Sequence, residues 1–310
     1  MEQDKDQLAI NIAKLYYYSE FSQQKIARKL GLSRPSVSRL LKYAKDQGYI
    51  QIKIIDSSED LIALEKQVAE RYGLNDVKIA ISPLNDEQEI KKSIGLKAAD
   101  YLDNIASDGD IIGVGWGTTL HQMSHALRPK VLRGSQIIQL EGGVPLSDGT
   151  TFANEILTRF SENYSTIAQH LPLPVIFDTQ LLKEMVYQDR HIKRVLELGR
   201  QANIAIFSVG TIRPKALFFS LGYTNSQENA RIQTNAVGDI CSRFYDSNGE
   251  IADDDLNKRT VGIELSELRN KEYSILISGG SEKVRSIQAA LKGRYANVLI
   301  TDQFTAEALL

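Results

Sequence analysis

The segment from Ser22 to Gly48, SQQKIARKLGLSRPSVSRLLKYAKDQG, allows few backbone solutions other than two short helices joined by a tight turn. Ser22 is an N-cap candidate, and Ile26, Ala27 and Leu30 put apolar groups on one face of a helix that Gly31 ends. Leu32 follows as an inward-packing turn residue. Ser33 caps a second helix, Pro35 sits where its missing N–H costs nothing, Val37, Leu40 and Leu41 recur at helical spacing, and Gly48 stops it. Arg34, Ser36, Ser38, Arg39 and Lys42 are left pointing outward, hydroxyls and cations suited to base edges and phosphates. Between Lys25 and Lys45 there are seven Lys or Arg and no Asp or Glu. A solvated basic face is the plain alternative; joined to the cap, turn and proline pattern, the run points to double-stranded DNA.

The overall net charge of −2 hides an asymmetry. Residues 1–56 carry ten Lys or Arg against six Asp or Glu, while residues 57–310 carry 27 against 33, so a small basic head precedes a large acidic body. At 310 residues two domains are expected, and a body of this size buries its core without covalent staples. Cys241 is the single cysteine, which excludes an intrachain disulfide. No apolar run approaches a bilayer span, and MEQDKDQ lacks signal-peptide character, so the expected location is cytoplasmic, away from membranes.

Residues 7–18 carry Leu8, Ile12 and Leu15 on one stripe, a support helix for the motif. After Gly48, YIQIKIID alternates as a half-buried strand does and would flank the second helix as a wing, with Lys53 near a phosphate or simply solvated. Residues 59–73 place Leu61, Leu64, Val68 and Tyr72 on one helical face, which either packs on the body or serves as dimer contact or lever. From Asn75 onward, short apolar runs such as DIIGVGW, ANIAIFSVG, YSILISGG and ANVLITD alternate with amphipathic stretches, the pattern of an α/β body with a mostly parallel sheet; residues 220–260 read as irregular. The expected division is a winged helix-turn-helix domain over 1–56, a linker helix over 57–74 and an effector domain over 75–310.

Two loops have the character of anion sites beyond strand ends. In the first, Gly115 and Gly117 lead from a strand into a helix at Thr118 and Thr119, gathering backbone amides and hydroxyls; tight turn geometry alone also explains the glycines. The second, Gly279-Gly280-Ser281-Glu282-Lys283, adds an ammonium in the first turn of a helix, where a cation fits better with an anion nearby. Gln139 and Glu141 end another strand and could meet sugar hydroxyls, or Glu141 is a solvated acid. Asp239, Arg243 and Asp246 offer polyol-binding donors and acceptors, or surface salt bridges. His121 and His125 share a helix face but lack the third ligand of a zinc hydrolase, so no metal is expected, and no catalytic triad assembles from sequence order.

The combination of SQQKIARKLGLSRPSVSRLLKYAKDQGYI, DGDIIGVGWGTT, AVGDICSRFYD and ILISGGSEKVRSIQAALKGRYANVLITDQFTAEALL resembles, over nearly the whole chain, the SorC-type sugar-binding transcriptional regulators, and within them the branch that represses deoxyribonucleoside operons. The resemblance implies a winged helix-turn-helix joined to a Rossmann-like, phosphosugar-isomerase/deaminase-like effector domain, acting on operator DNA as dimers or tetramers. It implies a phosphorylated sugar that is bound without turnover and no cofactor. Gly117, Thr118 and Thr119 with Gly280, Ser281 and Lys283 would hold the phosphate, while Gln139, Glu141 and Asp246 would face the sugar. One position departs from the branch: a lysine is expected at 141 and this chain has Glu141, which cannot form a Schiff base with an open-chain aldehyde. Noncovalent binding of deoxyribose 5-phosphate or a related sugar phosphate stays open. In the head, Arg34, Pro35, Ser36, Ser38 and Arg39 would meet the major groove, with Lys42 and Arg28 on phosphates. The competing expectation is an isomerase- or deaminase-like enzyme carrying a DNA-binding appendage, with Glu141, Asp239 or Asp246 as base.

Overall fold

Ser22 and Ser33 each start a helix. Ser22 Oγ accepts the Lys25 N–H at 3.3 Å and Ser33 Oγ accepts the Ser36 N–H at 3.2 Å, each satisfying one orphan donor of a first helical turn. The first of these helices, α2 (Gln23–Leu30), ends at Gly31 in the left-handed region (φ 63°), where glycine meets no Cβ penalty. The second, α3 (Arg34–Asp46), carries Pro35 in its first turn, and both follow α1 (Glu2–Tyr17). Ala9, Ile12 and Ala13 of α1 pack with Ile26 and Ala27 of α2 and Val37, Leu41 and Ala44 of α3. Leu30, expected on the buried face, is 38 % exposed at the last position of α2, one residue before the chain reverses. The computed structural model describes residues 2–50, 59–146 and 150–310. Apart from Tyr49 and Ile50, the expected wing strand, Lys53 included, lies outside the described residues. Contacts divide the chain into two units, Met1–Ser57 and Ser58–Leu310.

The second unit is built on a seven-stranded sheet in the order β1-β10-β9-β5-β2-β3-β4, every pair parallel. In chain order the strands are β1 (Asp76–Ala80), β2 (Ile111–Val114), β3 (Gln136–Gln139), β4 (Ile167–Gln169) and β5 (Ile204–Phe207). A small antiparallel sheet of β6 (Val209–Gly210), β7 (Gly238–Ile240) and β8 (Arg243–Tyr245) is followed by β9 (Tyr273–Ile277) and β10 (Val298–Asp302). All residues of β5 and β10 are buried, as strands covered on both faces require. One face carries α5 (Glu87–Ile105), α6 (Thr118–Ala126) and α7 (Ala153–Tyr164), with Ile94, Leu102, Met123, Ile156 and Phe160 in its core. On the other face, Leu140, Phe207, Leu276 and Leu299 pack against the helices Val284–Lys292 and Gln303–Leu309 and against α4 (Glu59–Tyr72). Val68 of α4 is fully buried there, Glu65 accepts the Ile79 N–H at 2.8 Å, and Tyr72 donates to the Leu309 carbonyl at 2.8 Å. The helix over 59–73 is thereby part of the body. No helix among the described residues is long and apolar enough to cross a membrane.

The stretch read as irregular contains β7 and β8, three residues each, too short to show a period. Its anchor is Arg243, a fully buried cation. Its Nε donates to the Ile263 carbonyl at 2.6 Å, Nη1 to the Asn257 carbonyl at 3.0 Å, and Nη2 to the Gly262 carbonyl at 3.1 Å, with a Glu264 carboxylate oxygen 2.8 Å from Nη2. Every face of the guanidinium is answered, which is the condition for keeping a charge out of water. Arg243→Leu strips those carbonyls of their donors and is expected to lower unfolding free energy by about 3–5 kcal/mol. Urea unfolding of the full chain, followed by circular dichroism, measures the loss.

Candidate functional site

Loops following neighbouring strands β2, β5 and β9 surround a cavity of about 780 Å³, within the size range of small-molecule sites. Trp116, Gly117, Thr118 and Thr119 line it after β2, residues 208–211 and 213–218 after β5, and Glu282 and Lys283 after β9. Glu87 and Lys91 of α5 close one side, and Glu141, Asp239, Cys241 and Ser242 close another. Gly117 caps α6 at φ 120°, a conformation that L side chains rarely adopt, and no side chain caps the helix, whose first residues Thr118 and Thr119 line the cavity.

The charged groups act on one another in a row. Burial, with the neighbouring Lys91 adding to it, pushes the Lys283 ammonium down to about 8, against the attraction of Glu87 and Asp239; Lys91 is itself buried and 2.5 Å from Glu87. Lys283 Nζ lies 3.4 Å from Ser208 Oγ. Burial pushes the Asp239 carboxyl up to about 6, with the Ser242 N–H and Lys283 opposing. Of the row's carboxyls Glu141 holds its proton to higher pH: burial, with the Asp239 charge adding to it, raises it to about 8, and Ser242 Oγ donates to its Oε2 at 3.0 Å. At neutral pH the cavity therefore runs from cationic Lys91 and Lys283 to a carboxylic acid that still holds its proton.

Cys241 and Ser242 form the two-residue turn of the β7–β8 hairpin, both left-handed at φ 49° and 62°. Neither residue type favours that conformation, at a cost of roughly 1–2 kcal/mol each. The strain places the Ser242 hydroxyl on Glu141 and the turn in the cavity wall.

The residues singled out in the sequence fall into two groups. Gly117, Thr118, Thr119, Glu141, Asp239 and Lys283 line the cavity, and a Cβ on Gly115 would come within 3.2 Å of Glu141 Oε1. Gln139 and Asp246 do not line it. Gln139 Nε2 donates to the Glu141 carbonyl at 2.8 Å while its Oε1 accepts the Leu171 N–H at 3.0 Å; Asp246 accepts the Asn248 and Glu250 amides of a turn. Gly279, Gly280 and Ser281 are also absent from the lining, and the Gly280 amide is taken by Thr305 Oγ1 at 2.7 Å and Asp302 at 3.2 Å. Sequence reading passed over Lys91, Ser242, Thr211, Arg213 and Lys215. For Thr211, Arg213 and Lys215 the visible signal was the cationic run that follows the fully apolar β5, since it leaves a strand end as the glycine loops do.

In the first unit, Arg34, Pro35, Ser38, Arg39 and Lys42 are exposed on α3, opposite its buried residues, and Arg28 is exposed on α2. Ser36 is partly engaged, 2.8 Å from Ser33 Oγ and accepting from Arg39 Nη2 at 3.4 Å.

Residues 56–310 match the Sugar-bind family of sugar-binding domains. The deoxyribonucleoside regulator of Bacillus subtilis (strain 168) is 50 % identical over 310 residues, covering 100 % of this chain and 99 % of its own length. The sorbitol operon regulator of Klebsiella pneumoniae is 33 % identical over 322 residues, covering 100 % of both chains. The crystal structure of the full-length sorbitol operon regulator SorC from Klebsiella pneumoniae superposes with a TM-score of 0.79 at 31 % identity, covering 98 % of each chain.

Burial of Glu141 has a pH signature. Its proton is held to about 8 in the folded chain against 4.5 ordinarily, so folded protein binds more protons in that window and stability falls as pH rises through it, by up to about 1.4 kcal/mol per pH unit. Asp239 adds a decline between 3.8 and about 6. Glu141→Gln removes the first contribution, so unfolding free energies measured across roughly pH 6–8 are expected to flatten relative to the parent chain.

Proposed function

The chain belongs to the SorC-type family of sugar-binding transcriptional regulators, and from that membership we propose that it represses a deoxyribonucleoside or sugar catabolic operon and releases its operator when the body binds a sugar phosphate. The observation that carries this reading is the charge row of the cavity. Lys283, Lys91 and the first-turn amides of α6 suit a phosphate, while Asp239, Ser242 and the protonated Glu141 suit sugar hydroxyls, the last as a hydrogen-bond donor. Glu141 carries no amine for a covalent adduct, so the sugar is held by hydrogen bonds alone; deoxyribose 5-phosphate and related pentose phosphates fit that chemistry.

The sugar phosphate is sensed rather than turned over, and no cofactor takes part. In the head, α3 enters the major groove, Arg34, Ser36, Ser38 and Arg39 meet bases with Pro35 at the helix start, and Arg28 and Lys42 hold phosphates. A winged form of this domain, paired heads in a dimer or tetramer, a palindromic operator and a cytoplasmic location complete the proposal. Coupling of roughly 1–3 kcal/mol between sugar phosphate and operator suffices for a 5- to 150-fold change in affinity.

Two substitutions separate the halves. Arg39→Ala is expected to weaken specific operator binding by about 1–3 kcal/mol in gel-shift titrations, with effector affinity unchanged. Lys283→Ala is expected to leave operator binding intact and weaken a phosphorylated pentose by about 1.5–3 kcal/mol in calorimetry, the worth of a charged hydrogen bond. A thermal-shift screen of phosphorylated pentoses and hexoses identifies the sugar, because a ligand of the folded body raises its melting point by mass action. Product formation during that incubation would overturn the sensor reading.

A further inference from the structure

His121 and His125 project from α6, four residues apart, and Glu155 of α7 stands beside them. The two Nε2 atoms are 3.2 Å apart, His121 Nε2 is 3.0 Å from Glu155 Oε2, and His125 Nε2 is 3.4 Å from Glu155 Oε1. A tetrahedral zinc ion with bonds near 2.0–2.1 Å needs donor atoms about 3.3 Å apart, and each of the three separations, with the Glu155 carboxylate meeting His121 through Oε2 and His125 through Oε1, falls near that spacing. Among the described residues it is the one group of three His, Cys, Asp or Glu side chains arranged to hold a metal.

The supports of the triangle are in place as well. Phe152 stacks on the His121 ring, with centroids 4.2 Å apart and planes 19° from parallel, fixing its orientation. Arg159 donates to Glu155 Oε1 at 3.0 Å, leaving Oε2 on the side of His121, an outer hydrogen bond of the kind that orients ligating carboxylates.

We propose that His121, His125 and Glu155 form a binding site for a divalent transition-metal ion of the zinc class, with solvent in the fourth position, clipping α6 to α7. Because α6 begins at the cavity, the ion would fix the helix whose first turn carries Thr118 and Thr119. The proposal stands independently of which ligand the cavity takes.

The test uses untagged full-length chain, stripped with a chelator and dialysed, and titrated with Zn²⁺ by calorimetry near neutral pH. One ion per chain is expected, with affinity reduced about tenfold or more by each of His121→Ala, His125→Ala and Glu155→Gln. Cobalt(II) is expected to give the visible bands of tetrahedral coordination, lost in the same variants. His125 and Glu155 are partly exposed, so their substitution leaves the core alone, and melting curves verify this. Absence of zinc uptake by the parent chain, or uptake that His125→Ala and Glu155→Gln leave unchanged, overturns the proposal.

Discussion

A guanidinium without access to water fixes the wall of the cavity. Arg243 holds the carbonyls of Gly262 and Ile263, and the same segment pairs with the chain around Glu141: Gly142 donates to the Val261 carbonyl at 3.2 Å and Ile263 to the Leu140 carbonyl at 2.8 Å. Arg243 is also the residue that follows the left-handed Cys241–Ser242 turn. One buried charge therefore sets both the carboxyl of Glu141 and the hydroxyl that bonds it. A neutral side chain of similar volume could fill the space, but it could not answer several carbonyl oxygens at once.

The legible parts of the sequence were those where local chemistry decides local structure. Ser22, Gly31, Ser33 and Pro35 announced helix ends because capping is an interaction within a few residues, and Gly117 marked a strand-to-helix turn for the same reason. The parallel sheet was legible in runs such as IAIF, which have no polar face to expose. Gln139 and Asp246 show where such reading stops. Gln139 ends β3 and Asp246 follows β8, each close in sequence to cavity residues, and each spends its side chain on backbone groups of the fold. Only the distances across the fold separate that role from ligand binding. Lys91 is the converse case: a lysine on a helix reads as solvated, and only the packing of α5 reveals it buried beside Glu87.

The row from Lys91 to Glu141 also explains why the cavity reads as a receptor. Burial raises its carboxyls and lowers Lys283, with Lys91 adding to the latter, so charge is graded across the space. Graded charge distinguishes the two ends of a ligand. It does so before any ligand arrives, because the gradient arises from packing between strands rather than from side chains that must reorganise.

Cys241 gives the same wall a clock. It is the chain's single cysteine, buried, with its thiol pushed well above the ordinary range chiefly by burial and by the neighbouring Glu141. Such a sulfur is nearly inert to alkylating reagents until the hairpin turn opens to water. The rate at which a small thiol reagent consumes it thus counts openings of the β7–β8 turn, and a ligand packed against that turn slows the count.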